Sequence, residues 1–523
     1  MVGFRPGIAR CHRLPGRTSG LAVAIGLLVA ACSPAHTAAT GAATGGATAR
    51  GTAEPLLSAS PPPSSTGDQG CESVTTCYTP QQLQAAYGIR PLLARGIDGS
   101  GETVVLPELA ETRLNPPLVT DLRQDMAAFD SMFRLPAARM RVVTTLAGSG
   151  SPWLAFGEEV LDVEMVHALA PDATLVILLV PSTSLDNAKN AVAAAIASLR
   201  VGSSLGGVMS ISAAGQIGGE YCVNRAQAAS VNTALQEAAD RHVTVVAASG
   251  DIGAVSEPCD VYSALAGGGP FTPVKAVNLL ASDPLVLGAG GTSLNASHAT
   301  GAWNSETVWG LPYGNSGMSF QASGGGFSSL FPRPGYQDGV PGTRTTRGVP
   351  DVSADANPHT GMAIILSNGT TSMVRNSGGT SASAPIWAAL IALADQYAGR
   401  HLGFVNPAIY QIATSPSYHQ AFHDVTVGNN TAQFPPVTIT GYQAAPGWDP
   451  VTGLGSPDAQ ILIPLLTATP PHNSRPGASA SSQGIRVGGA RLWRAGAGGA
   501  AEPKAGQTFP QTSPKGNGAM SAP

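Results

Sequence analysis

The sequence is poor in charge. Of 523 residues 11% are charged, 28 basic against 32 acidic, for a formal net charge of -4 and a pI near 6.2. No basic excess is available to wrap a polyanion, which excludes nucleic acid as the partner. Long apolar runs are equally scarce: the one continuous stretch, residues 20–31, lies at the extreme N-terminus, and a polytopic membrane protein is excluded. Aromatic residues make up only 5%. No repeat recurs at a fixed period, which argues against a solenoid or propeller. What is plentiful is Gly (64) and Pro (42), a composition that fits an ordered core flanked by low-complexity ends rather than uniform disorder.

The N-terminal segment carries Arg5, Arg10, Arg13 and Arg17 and no acid, followed by the apolar GLAVAIGLLVAA, an export signal too short to span a bilayer comfortably. The run ends Val29-Ala30-Ala31-Cys32, which resembles the bacterial lipobox. That resemblance implies cleavage before Cys32 and a lipid on its thiol; ordinary signal cleavage nearby is the alternative. Expected organisation is therefore a signal peptide over 1–31, a disordered Ala/Thr/Gly/Pro tether over 32–70, one large domain over 71–466 and a disordered Pro/Gly/Ala tail over 467–523. Membrane contact would run through the lipid at the outer face of the bacterial cytoplasmic membrane, with secretion as the other outcome. Beyond Cys11 and Cys32, proximity pairs Cys71 with Cys77 and Cys222 with Cys259, one of three possible connectivities in an oxidising compartment.

Within the domain, 104–107, 174–180, 207–212 and 243–248 are short apolar or β-branched runs bounded by small residues, Gly or Pro, and read as buried parallel strands. Helical patterns lie between them at 158–169, 187–199 and 226–241. The alternation predicts an α/β domain with a doubly wound, mostly parallel sheet whose sites lie beyond the carboxyl ends of strands. From 288 to 380 the chain is rich in Gly, Ser and Asn, with turns at Gly324-Gly325-Gly326 and Ser377-Gly378-Gly379 that suit loops around a site.

Ser381, in Ser377-Gly-Gly-Thr-Ser-Ala-Ser-Ala-Pro385, follows two glycines and opens an apolar helical run, so its hydroxyl would meet the positive end of a helix. It is a candidate nucleophile; alternatively Ser381 or Ser383 merely caps that helix. A nucleophilic Ser needs a base. The Gly-x-Ser-x-Gly elbow of lipases is absent, and no His precedes Gly-Thr as in the subtilisin base segment. Carboxylates are available instead. Glu158 and Asp162 are four apart and share a helical face, where each raises the other's pKa; the alternative is a solvated acidic first turn, the role expected of Glu159 and Glu164. His167 falls on another face and is expected to be structural. Asp251, in Ser249-Gly250-Asp251 after a strand, either forms a turn or, when protonated, donates to a developing oxyanion. Trp303, Trp309 and Phe327 suit either a peptide cleft or the core.

Glu-x-x-x-Asp, Ser-Gly-Asp and Gly-Thr-Ser-Ala-Ser-Ala-Pro in this chain order resemble the sedolisin (serine-carboxyl peptidase) family. The likeness extends through Tyr78-Thr-Pro-Gln-Gln-Leu-Gln-Ala-Ala-Tyr-Gly-Ile89, Arg347-Gly-Val-Pro-Asp-Val-Ser-Ala-Asp-Ala356 and Gly447-Trp-Asp-Pro-Val-Thr-Gly-Leu-Gly-Ser-Pro457. It implies a subtilisin-like α/β fold, a doubly wound sheet with helices on both faces. It implies Ser381 as nucleophile, Glu158 as general base and acid, Asp162 orienting Glu158, Asp251 as oxyanion donor and Glu108 as an accessory of the proton network. An acidic pH optimum follows, because Asp251 must be neutral to donate. The family also binds one Ca²⁺. By resemblance Asp424 and Asp449 would give carboxylates, and Val425, Ala445 and Gly447 backbone carbonyls, all hard oxygen donors. Two departures stand out: Ala213 replaces a Trp of relatives, and only 33–70 precede the domain where relatives carry a folded propeptide. The expected function is an exported endopeptidase, monomeric, acting on peptides or unfolded proteins. A tripeptidyl exopeptidase and a catalytically weak surface binding protein are the alternatives.

Overall fold

Eight of the described strands form one sheet, and seven of them run parallel. The computed structural model describes residues 77–469 except 110–119, 145–153, 156, 181–189, 191–193, 196–205, 213–217, 258, 260–271, 312–320, 368–370 and 435. The signal, tether and lipobox expectations, Cys71, Ala213, nearly all of the helix expected at 187–199 and the tail beyond 469 lie outside the described residues. So does the whole of a second unit, Ala478–Pro523; everything below belongs to the first, Met1–Gly477.

The sheet strands are β1 (Thr103–Leu109), β2 (Arg139–Thr144), β3 (Thr174–Val180), β4 (Gly207–Ile211), β5 (Val243–Ala248), β6 (Leu287–Ala296), β7 (Trp303–Val308) and β8 (Val352–Asp355). Their order is β8-β6-β5-β4-β1-β3-β2, with β7 antiparallel to β6. β4 and β5 are buried at every position, which is why they read as unbroken apolar runs: a parallel strand is covered on both faces. The expected strands at 174–180 and 243–248 match β3 and β5 in extent, and those at 104–107 and 207–212 differ from β1 and β4 only at their ends.

From β1 the chain winds out to β2 and back through β3, then crosses to β4 and continues through β5 to β6 on the other side. The winding direction thus reverses between β1 and β4, and such a reversal opens a crevice at the carboxyl ends of the strands. Glu108 lies near that end of β1, Ser212 follows β4, and Ser249-Gly250-Asp251 follow β5.

Helices α1 (Gly157–Leu169), α2 (Arg225–Asp240) and α3 (Thr380–Ala398) bring the other groups. Asn224 caps α2 through a capping box with Gln227. α3 packs across β4, β5, β6 and β8 and lies against α1. The helix Ala459–Ala468 buries Leu462, Ile463 and Leu466 against the core.

α1 corrects one expectation. Glu159 and Glu164 are not a solvated acidic face: both are buried, as is every residue of α1 from Glu159 onward. A hairpin of β9 (Ala363–Ser367) and β10 (Ser372–Asn376) meets this helix, and Glu164 Oε2 accepts a 2.8 Å hydrogen bond from the Ile365 amide. His167 is structural as expected, with Nε2 2.9 Å from Asp130 and 3.0 Å from the Pro136 carbonyl. Trp309 is fully buried core, and Trp303 stacks on His423 at 4.1 Å. The Cys222–Cys259 disulfide is present, closing a sequence separation of 37 residues; Cys77 is disulfide-bonded too.

Candidate active site

Four chain segments converge at the reversal point. Ser381 is the second residue of α3, whose N-cap is Gly379 with no side-chain cap bond, so the reading of Ser381 or Ser383 as a capping hydroxyl is not met. Gly379 has φ +89°, a conformation that suits glycine, and a Cβ there would lie 2.7 Å from Asp251 Oδ2. The Ser-Gly-Gly turn is therefore dictated from two directions, by backbone conformation and by the proximity of an acid 128 positions earlier.

The Ser381 hydroxyl stands beside the Glu158 carboxyl, close enough to act on its titration. Burial pushes the Glu158 carboxyl up to about 7, a rise opposed by the Ser381 hydroxyl and reinforced by the Asp251 charge. A hydroxyl beside a carboxyl whose pKa is pushed toward neutrality is the arrangement that general-base catalysis requires. Behind Glu158, one helical turn on, Asp162 is fully buried. Its Oδ1 accepts a 2.8 Å hydrogen bond from the Ser212 hydroxyl, which also lies 3.1 Å from the Ser381 carbonyl. Burial, then the Glu158 charge, holds Asp162 well above the usual carboxylate range.

Glu108 closes this chain of groups from β1. It is buried, in hydrogen-bonding contact with Asp162, and is itself pushed well upward by burial and then by the Asp162 charge. Asp162 Oδ2 and Glu108 Oε1 are both buried with no donor among the described residues. One proton held between the two carboxyls would satisfy both atoms, where two charges would repel. Glu108, Asp162, Glu158 and Ser381 thus follow one another as neighbours, Asp162 and Glu158 one helical turn apart.

Asp251 approaches from the other side. Its Oδ1 accepts from the Thr380 amide at 2.7 Å and from the Thr380 hydroxyl at 2.8 Å, and burial raises its carboxyl above the ordinary value. Its own amide donates to Glu257 Oε1 at 3.0 Å. Glu257 is buried, and burial pushes it up to about 7. Gly324 backs the same turn: its amide bonds to the Gly250 carbonyl at 2.7 Å, and a Cβ there would meet the Ser249 carbonyl oxygen at 2.2 Å.

The structure therefore brings together Glu108, Glu158, Asp162, Asp251 and Ser381, the five site residues expected for the chemistry. Ser212, Thr380 and Glu257 were not singled out. Thr380 carried a signal, since it directly precedes Ser381 in the turn; Ser212 reaches the site only through the fold, and Glu257 through the loop that follows Asp251.

The residues expected for calcium also converge. Asp424 Oδ2 accepts from the Gly447 amide at 2.9 Å, Asp449 Oδ2 from the Ala445 amide at 3.2 Å, and the Thr452 hydroxyl approaches the Val425 carbonyl at 3.4 Å. Asp424 Oδ1 is buried without a hydrogen-bond donor among the described residues. Elsewhere Glu102, Asp395 and His401 cluster, with His401 Nδ1 3.3 Å from Glu102 and 3.4 Å from Asp395. Bonds to Asp395 and then to Glu102 push that imidazole up to about 10, so the cluster is an ion pair with charged His401.

No family model matches the chain. It is similar to kumamolisin of Bacillus sp. (strain MN-32), 34% identical over 415 residues, which cover 76% of this chain and 65% of kumamolisin. It is also similar to tripeptidyl-peptidase 1 of Homo sapiens, 32% identical over 256 residues, 45% of this chain and 39% of that protein. The chain thus spans less than two thirds of the length of either relative. Among solved structures, Pseudomonas sedolisin, a serine-carboxyl proteinase complexed with two molecules of pseudo-iodotyrostatin, superposes with a TM-score of 0.60 at 26% identity, covering 75% of this chain and 98% of that one. A shared sheet over nearly all of a solved sedolisin, joined to sequence likeness over three quarters of this chain, makes it a member of the sedolisin family.

Proposed function

We propose that the protein is an exported serine-carboxyl endopeptidase that cleaves peptides and unfolded proteins through an acyl-enzyme on Ser381. The observation that carries this reading is the convergence of Ser381, Glu158 and Asp251, with Thr380 tying Asp251 to the turn that opens on Ser381 and the Ser381 hydroxyl beside the Glu158 carboxyl. Ser381 Oγ attacks the scissile carbonyl carbon while Glu158 takes its proton. Asp162 orients Glu158, and Glu108 shares a proton with Asp162 at the buried end of this series. Negative charge gathering on the carbonyl oxygen is met by neutral Asp251, whose Oδ1 is fixed by Thr380 so that Oδ2 is left to donate. Glu158 then returns its proton to the leaving amine. Water, deprotonated by Glu158, releases the acyl group by the same steps in reverse order of transfer.

Activity on the acidic side follows from two requirements. Asp251 must hold a proton, so the rate falls as pH rises through its raised value; the Glu158/Asp162 pair must keep one negative charge, so it falls again when both are protonated.

The residues near Asp424 and Asp449 fit a calcium ion: a buried, donorless carboxylate oxygen beside further carboxylate and carbonyl oxygens is a hard-donor set. Asp424, Val425, Ala445, Gly447 and Asp449 would hold Ca²⁺, which when bound would supply charge that ties the two loops together. The lipobox pattern supports anchoring through Cys32; replacing Cys32 by Ser should then release the protein from the detergent phase of cell extracts.

The test is hydrolysis of a denatured protein by purified protein with calcium from about pH 3 to about pH 7, beside Ser381→Ala and Glu158→Gln. An acidic maximum, lost by at least about 10⁴-fold in both variants, is expected. Equal proteolysis by parent and Ser381→Ala would overturn the reading. The likeness to tripeptidyl-peptidase 1 favours one second reading, an exopeptidase. A long peptide with a blocked N-terminus decides between them, since only an endopeptidase cuts it.

A further inference from the structure

Two cations stand on one aromatic cluster with no acid among the described residues to meet them. The Arg344 guanidinium lies 4.3 Å from the ring centroid of Phe327 and 6.0 Å from that of Tyr442, and Lys275 Nζ lies 4.2 Å from that of Tyr442. Phe327 and Tyr442 meet edge to face at 5.6 Å. Both cationic residues are exposed. Lys275 Nζ donates to the Thr440 carbonyl at 2.6 Å, whereas the Arg344 guanidinium donates no hydrogen bond among the described residues. Neither pairs with a carboxylate there. The acids of neighbouring segments are engaged elsewhere: Asp338 by Arg333 at 2.8 Å, Glu220 by Ser328 and Ser329. Residues 312–320 contain no acid and 260–271 only Asp260.

Like charges gathered this way repel, and burial together with the Arg344 charge holds Lys275 below its ordinary pKa. A guanidinium stacked on a ring keeps its in-plane N–H donors free, in a fork that matches a carboxylate. An incoming carboxylate would relieve the repulsion and satisfy these donors together.

Position ties the pair to the chemistry. Lys275 lies opposite Val255 in an antiparallel bridge, flanked by hydrogen bonds from Ala276 to Ala254 and from Ser256 to Val274. The strand Gly326–Pro332 that bears Phe327 continues from Gly324, which bonds to Gly250, and from Ala322, whose amide bonds to the Asp251 carbonyl at 2.8 Å. Since a residue advances at most about 3.3 Å, Phe327 and Lys275 stand within roughly 15 Å of Asp251 along the chain, a span that an extended peptide covers in about four or five residues.

We propose that Lys275 and Arg344, mounted on Phe327 and Tyr442, form a subsite for an acidic side chain of the substrate, a few residues from the scissile bond, and so determine specificity. The proposal rests on the peptidase reading above.

The experiment uses the full chain with calcium and a set of internally quenched peptides that differ by Glu, Gln or Lys at single positions on either side of the cleaved bond. It is run at about pH 6, where substrate Glu is ionised. At one position Glu should exceed Gln by about tenfold or more in kcat/KM, as expected for charge-assisted hydrogen bonds, and the ratio should shrink with added salt. In Lys275→Gln/Arg344→Gln the ratio should fall to near one, and in Lys275→Glu/Arg344→Glu the Lys peptide should become the better substrate. Equal cleavage of Glu and Gln peptides at every position, or a ratio unchanged in both double variants, would overturn the subsite alone. Absence of all cleavage would reject the peptidase reading instead, and anisotropy of the same labelled peptides on Ser381→Ala would still test the subsite, a Glu preference supporting it and equal binding refuting it.

Discussion

Thr380 grips Asp251 by one oxygen only: its amide and its hydroxyl both end on Oδ1, at 2.7 and 2.8 Å. The carboxyl is thereby oriented, since two donors on one oxygen make that oxygen the acceptor and leave the proton of the neutral acid to Oδ2. Oδ2 is the atom a Cβ on Gly379 would approach at 2.7 Å.

That orientation separates two substitutions. Asp251→Ala should lower kcat on a denatured protein by about 10²–10³-fold with a small change in KM, the usual cost of losing one oxyanion donor. Asp251→Asn should retain more activity, because the Thr380 donors would keep the amide oxygen in the Oδ1 position and turn its NH₂ outward. A donor that no longer titrates should also remove the alkaline limb of the pH–rate profile. An Asn variant as inactive as Ala at every pH would contradict the orientation argued here.

Gly379→Ala should be damaging twice over. The positive φ should cost on the order of 1–2 kcal/mol in a denaturant titration, and the new methyl should displace Asp251 and lower kcat by about tenfold or more. A fully active variant with parental stability would show that the turn is not constrained in this way.

Stability should fall as pH rises. Glu158 and Glu257 are pushed from 4.5 up to about 7, and Asp125 and Asp283 from 3.8 up to about 6, each chiefly by burial. The folded chain therefore binds more protons than the unfolded one between about pH 4 and pH 7. The stabilisation is complete below the unfolded values and is lost as pH climbs through the folded ones. Calorimetry at fixed calcium should give a Tm higher by a few degrees at pH 4 than at pH 7; the reverse order would mean that these acids stay ionised when buried.

Chelation should lower Tm by several degrees, with recovery on adding Ca²⁺, because a ligand that binds only the folded state stabilises it by mass action. In Asp424→Ala the calcium response should vanish. A parent protein whose Tm ignores both chelator and calcium would remove the metal from this account.

Much of this was legible in the sequence for physical reasons. β3 and β5 announced themselves because buried parallel strands are uniformly apolar, and Ser381 because a Gly-Gly turn before an apolar helix is a local feature. Glu159 and Glu164 read as a wet face because nothing local marks α1 as covered on every side, whereas both are buried, Glu164 under the β9–β10 hairpin. Ser212 was silent because its partner Asp162 is brought to it by tertiary closure across 50 positions, and Glu257, six positions from Asp251, because nothing in the local sequence marks a loop acid as turned back onto a backbone amide. The Lys275–Arg344 pair was invisible for the same reason as Ser212: its two members meet only on a shared ring.

The bond from the Ile365 amide to Glu164 has a mechanical side. Glu164 rides on the helix that carries Glu158 and Asp162, and Ile365 belongs to the hairpin whose second strand leads through Asn376 into the turn before Ser381. Glu158 and Ser381 are therefore riveted to a common chassis. Thermal jostling that would slide one past the other must first pull a buried amide off a buried carboxyl, so the distance between them is protected by the same joint that closes the core.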